Sequence, residues 1–229
     1  MTRRHLLAAP PAFAQLDKIL EGIFKPKTKL NGDNRIIEGL KEALRIGTGN
    51  AIKLTGRPDG FFANTLIRIL MPEKLRALEK GMRLIGMGKQ VDAFVLSMNR
   101  SAEAAAPLAA DIFLGAIQEM NFEDARRLLT GGETAATSYF QTKTAGKLTA
   151  AFRPVVAKTM AENEVGRHFQ NLLNAARKLP MMKTEALDME TYVVGKSLDG
   201  LFLMIGNEER KIRKDPAARV TAILREVFG

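Results

Sequence analysis

Apolar residues recur at the spacing of a helix face through most of this chain, and alternation of period two is nearly absent. That repeat confines the chain to an all-α fold. Ile36, Leu40, Leu44 and Ala51 mark one face of a helix from about Asn34 to Leu54, broadened by Ile37 and Ala43. Val91, Phe94, Val95 and Met98 do the same between Lys89 and Ala105. Behind Asp188, a capping carboxylate, Val194, Leu198, Leu201, Phe202 and Ile205 follow helical spacing, and Asp215-Pro216 starts a last helix whose face is Val220, Ile223, Leu224 and Val227.

Glycine and proline supply the boundaries. Pro-Asp-Gly at 58–60 is a tight turn, Pro72 and Pro107 open helices, and Gly86 to Gly88 separate two more. Asn121 followed by Glu123 and Asp124 reads as a cap with acids in the first turn, for a helix that stops at Gly131-Gly132. Helices are expected over 15–23, 134–147, 148–163 and 165–178, with Pro154 kinking or restarting the third of these. The expectation is one bundle-like all-α domain over 15–229, with about nine to eleven helices.

The first fourteen residues read as an export leader. Arg3 and Arg4 precede a small apolar stretch, and Ala12-Phe13-Ala14 has the small-x-small form that a signal peptidase accepts. Thr2-Arg3-Arg4-His5-Leu6-Leu7 also looks like a twin-arginine signal. Cleavage between Ala14 and Gln15 and a periplasmic location are expected. No run approaches the apolar length of a transmembrane segment. Without cysteine the chain has no disulfide, thiolate nucleophile, zinc-thiolate site or acylated lipoprotein end.

The formal charge of +10 favours acidic partners, among them anionic lipid, glycan or an envelope protein. Nucleic acid is disfavoured: aromatics are only 6% of the chain, and Lys and Arg are interleaved with Glu and Asp instead of forming a stripe. Enzyme motifs fail. Gly195-Lys196-Ser197 lacks the earlier glycine of a phosphate loop, and after leader removal His168 is the one remaining histidine. No catalytic residue, metal or cofactor is expected.

Polar residues embedded in apolar helices are the candidates for function. Asn99, Arg100 and Glu103 lie within one turn of each other, surrounded by alanines that permit close packing. Glu208, Glu209 and Arg213 form a second set. If the two helices pack, Arg100 meets Glu208 or Glu209 while Glu103 meets Arg213. Such a network fixes helix register, or with Arg57 it grips an anionic group through guanidinium forks. Phe61, Phe62, Tyr139, Phe140, Phe152 and Tyr192 could wall a pocket, but core packing is the commoner use of such residues.

Several blocks together resemble the bacterial family called domain of unknown function 4197. They are Gly39 to Leu44, Arg57-Pro58-Asp59-Gly60-Phe61, Ser97 to Glu103, Leu198 to Phe202, and Ile212 to Pro216 with the terminal Val227-Phe228-Gly229. The resemblance implies an exported, mostly helical envelope protein of Gram-negative bacteria, and it carries over no activity or site. The functional expectation is therefore a non-enzymatic module for an anionic or amphipathic envelope component or a partner protein, contacted by Arg57, Asn99, Arg100, Glu103, Glu208, Glu209 and Arg213. The alternatives are a hydrolase of an envelope polymer using Glu103 and Glu208 as acid and base, and nucleic-acid binding through the basic surface.

Overall fold

In the computed structural model, residues 32–162, 188–219, 221–223 and 225 are described. The expected leader, the helices expected at 15–23 and 165–178, His168, and Val220, Leu224 and Val227 lie outside them. Among the described residues the chain forms seven α-helices and no strand. These are α1 (Gly32–Gly56), α2 (Arg76–Leu84), α3 (Gly88–Ala105), α4 (Ala109–Gln118), α5 (Phe122–Thr130), α6 (Ala135–Glu162) and α7 (Met189–Lys214). Short 3-10 turns occupy Glu73–Leu75, Ala106–Leu108 and Pro216–Ala218. The all-α expectation holds and the helix count of about nine to eleven does not.

Part of the shortfall is one merger. The helices expected at 134–147 and 148–163 are a single α6, which continues through Pro154. An interior proline costs about 3 kcal/mol by losing a hydrogen bond and crowding the carbonyl four residues back. Against that stand Leu148, Phe152, Val156 and Met160, one stripe at spacing four and completely or almost completely buried. Each such side chain contributes about 1.5–3 kcal/mol on burial, so a continuous stripe outweighs the proline.

The most extensive helix contacts are α6 with α7, α3 with α6, and α1 with α7. At the centre Phe113 of α4 meets Phe140 of α6 and Phe202 of α7 edge to face, at centroid distances of 5.2 and 6.1 Å. Ala102, Ala105, Ala106 and Ala109 are fully buried where α3 passes into α4. Buried hydroxyls avoid a desolvation penalty by bonding within their own helix: Thr55 donates to the Ala51 carbonyl, Ser101 to Ser97, Thr144 to Phe140 and Ser197 to Val193.

After α1 the chain reverses through Arg57-Pro58-Asp59-Gly60, closed by the Gly60 N–H donating to the Arg57 carbonyl at 2.9 Å. The positive φ of this turn, +64°, falls on Asp59 and not on the glycine. Gly60 is needed for space: a Cβ there would lie 2.4 Å from the Leu54 carbonyl oxygen and 2.6 Å from that of Thr55. The turn drives Phe61 fully into the core, where its ring rests on α7 at Gly200. A Cβ at Gly200 would stand 2.6 Å from the Phe61 ring. Gly200→Ala is therefore expected to lower stability by about 1–3 kcal/mol, read as an earlier urea midpoint; an unchanged midpoint would show that the turn moves aside freely.

Asp188 caps α7 as its position suggests, accepting the N–H groups of Glu190 and Thr191 and the Thr191 hydroxyl. The Thr191 hydroxyl and then its N–H hold this carboxyl below its ordinary range, against a smaller opposing effect of desolvation. Because the folded pKa is the lower one, the stabilisation is complete above the unfolded pKa and is lost as pH falls through the folded value. Asp188→Ala should cost about 0.5–2 kcal/mol at neutral pH, with the difference from wild type vanishing in acid. A pH-independent difference in urea titrations would contradict this.

Candidate functional site

Two buried glutamates organise the polar interior, and both do the same physical work. Residues 59–63 make a single helical turn whose first N–H groups have no partner within the turn itself. Glu103 of α3 supplies it: Oε1 accepts from the Phe61 N–H at 3.0 Å and the Phe62 N–H at 3.1 Å. Its other oxygen takes Arg100 Nη1 at 2.5 Å, and Arg100 Nη2 reaches Asp59 at 2.7 Å. Partial burial of Arg100 opposes its charge, but the hydrogen bonds to Glu103 and Asp59 outweigh it and raise the guanidinium pKa above its ordinary value.

Glu209 of α7 does this for α6. Its carboxylate accepts the N–H groups of Ala136 and Thr137 at 3.0 and 2.9 Å, with the Thr137 hydroxyl at 2.8 Å. Arg213 binds the same carboxylate at 2.9 Å and donates to the Leu128 carbonyl at 2.7 Å, at the end of α5. A negative group thus meets a helix start and a positive group a helix end, each on the favourable side of the helix dipole. Glu208 stands beside this pair yet binds elsewhere, to Asn50 of α1 at 3.0 Å and Lys211 at 2.5 Å.

Asn99 forms a third brace. Its amide pairs with both backbone groups of Ile69, donating to the carbonyl and accepting from the N–H at 2.8 Å each, as a neighbouring strand would. A third bond to the Val95 carbonyl at 2.8 Å completes its donors. Tyr192 donates to the next carbonyl, Leu70, at 2.9 Å, and burial pushes its phenol pKa up.

The expected cross-pairing of the two sets does not form. Arg100 meets Glu103 and Asp59, not Glu208 or Glu209, and Arg213 meets Glu209, not Glu103. The spacing along each helix is a local property, whereas each carboxylate faces backbone donors from segments that helical spacing does not represent. Arg57 belongs to neither set: its side chain is exposed, and its part in the turn is played by its carbonyl. Phe61, Phe140 and Phe152 are core, and Phe62, Tyr139 and Tyr192 pack against it.

Acid–base chemistry needs two carboxyl groups converging on one open site. Glu103 and Glu208 instead touch different segments, with both oxygens of each engaged. Glu209 and Arg213 do edge a narrow apolar crevice of about 20 Å³ between α1, α6 and α7, but as a closed pair. Among the described residues no group of His, Asp or Glu is placed to hold a metal ion.

The surface that the sequence reading passed over lies along residues 66–71. This segment leaves a turn on Asn64 through the Ile67 and Arg68 N–H groups, and burial alternates along it, with Ile67, Ile69 and Met71 inward and Leu66, Arg68 and Leu70 outward. Period two is present there. It is hidden because the outward positions include leucines, at 69% and 55% exposure. Together with Tyr192, Lys196 and Leu203 of α7, the segment borders an open groove of about 510 Å³. Arg68 stacks 4.2 Å from the Phe62 ring centroid and has no carboxylate partner among the described residues.

The fold and its braces define an all-helical protein whose interior carboxylates cap the starts of other segments. Within that class, the chain belongs to the family described as protein of unknown function (DUF4197), whose model matches residues 31–229. No curated protein and no solved structure matches it.

The braces rank the expected substitutions. Glu103→Ala leaves two buried N–H groups unpaired and should cost about 3 kcal/mol, more than Arg100→Ala at about 1–2 kcal/mol, with the half-exposed Asp59→Ala below about 1 kcal/mol. Urea unfolding of the three variants checks the order, and equal losses would show that ion pairing, not capping, is what Glu103 supplies.

Proposed function

We propose that this protein is a non-enzymatic binding module of the bacterial cell envelope, acting in the periplasm on an anionic or amphipathic component. The supporting observation is the groove along residues 66–71, where exposed Leu66 and Leu70 lie beside Arg68, which has no carboxylate partner among the described residues, and Leu203 of α7 lines the same groove. An apolar body with one charged end complements such a lining. Buried Asn99 fixes the backbone of Ile69 and Tyr192 on the groove wall fixes that of Leu70, which limits the ordering required on binding. On this reading Glu103, Glu208, Glu209 and Arg213 brace the fold, and the groove contacts the ligand.

Native mass spectrometry of the mature chain, purified gently from its own envelope fraction, tests the proposal. A retained lipid or glycan mass is expected for the wild type, with Leu70→Glu losing it while unfolding at an unchanged temperature. A bare wild-type chain, or a ligand indifferent to Leu70, would overturn the reading.

A further inference from the structure

Leu84 and Ile85 are the large apolar side chains most open to solvent among the described residues, at 88% and 73% exposure. They sit where α2 ends. There the Met87 N–H donates to the Met82 carbonyl at 2.9 Å and the Gly86 N–H to the Arg83 carbonyl at 3.2 Å, with Gly86 at a φ of +87°. This pair of bonds is a Schellman ending, in which the two residues joined by the bond that spans more of the chain, here Met82 and Met87, turn their side chains inward. Met82 is buried and Met87 packs on the core accordingly, so Leu84 and Ile85 are carried on the outside of a stiff corner. Arg83 ties that corner down through Glu79 at 3.0 Å and Asp92 at 2.7 Å. Folding gains little from the two outward side chains.

Around them Lys80, Arg83 and Lys89 outnumber Glu79 and Asp92, and both of those acids are taken up by Arg83. Lys80 lies one turn before Leu84 and Lys89 just beyond the corner; both are exposed, and neither has a carboxylate partner among the described residues. We propose that this corner is a membrane-contact tip, with Leu84 and Ile85 entering the headgroup boundary of an anionic phospholipid bilayer while Lys80 and Lys89 face lipid phosphates. Apolar residues flanked by cations are what an interfacial element requires. No described helix is long and apolar enough to cross a membrane, so the contact is with one leaflet. A second copy of the chain fits the tip less well, because a symmetric contact would bring the lysines of both copies together. The tip shares the proposed envelope location with the groove reading but does not depend on the groove.

Vesicle flotation of the full chain, with phosphatidylcholine alone and with added phosphatidylglycerol, tests the tip. Binding is expected only with the anionic lipid; Leu84→Asp with Ile85→Asp should weaken it by at least about tenfold, and Lys80→Glu or Lys89→Glu by about fivefold each at low salt. The chain has no tryptophan, so Leu84→Trp places a single reporter whose emission should shift blue and be quenched by brominated lipid. Lys158→Glu, a charge reversal at an exposed site of α6, should float like wild type, and an envelope ligand still retained by the chain carrying Leu84→Asp and Ile85→Asp separates failure of the tip from failure of the groove. Flotation unchanged by the tip substitutions, no flotation at all, or a dimer that the tip substitutions convert to monomer without vesicles would each overturn the proposal.

Discussion

A backbone N–H turned into a protein interior must find an acceptor, and in this protein buried glutamates on long helices are the acceptors. The turn after α1 cannot pair the N–H groups of Phe61 and Phe62 itself, and it lies so close to the α1 carbonyls that no side chain fits at Gly60. Glu103 resolves this by presenting one carboxylate oxygen to the N–H groups of both Phe61 and Phe62. Once those amides are fixed, Phe61 enters the core and settles on Gly200, so α1, α3 and α7 are placed relative to one another by a single side chain.

The second glutamate extends the same logic to the other junction. Glu209 reaches from α7 to the start of α6, and Arg213 from the same helix reaches the end of α5, so the loop between α5 and α6 is bracketed by opposite charges. Neither pair is a pure ion pair. In each, the carboxylate gives much of its hydrogen-bonding capacity to backbone donors, and the arginine balances the buried charge. That division of labour explains how a chain with glutamates inside its core leaves no buried side-chain nitrogen or oxygen unpaired among the described residues.

Much of the architecture was legible in the amino-acid sequence because the information is local. Period 3.6, the cap at Asn121, the cap at Asp188 and the adjacency of Arg100 and Glu103 depend on residues a few positions apart. The merger across Pro154 was not legible, because the decision rests on how deeply the stripe from Leu148 to Met160 is buried against other helices. The partners of Glu103 and Glu209 were hidden for a related reason. They are backbone N–H groups, which every residue type carries, so no residue identity marks them. The outward leucines at 66 and 70 concealed the alternation of burial over 66–71, because hydrophobicity there does not follow burial.

If interior capping by Glu103 holds the turn, the Phe61 and Phe62 amides must be among the slowest in the protein to exchange with solvent. Native-state hydrogen exchange measures this residue by residue. The account predicts that both amides exchange only through global unfolding, alongside core amides of α3 and α7. Exchange of either amide at the rate of an open loop, while α3 and α7 remain protected, would contradict it.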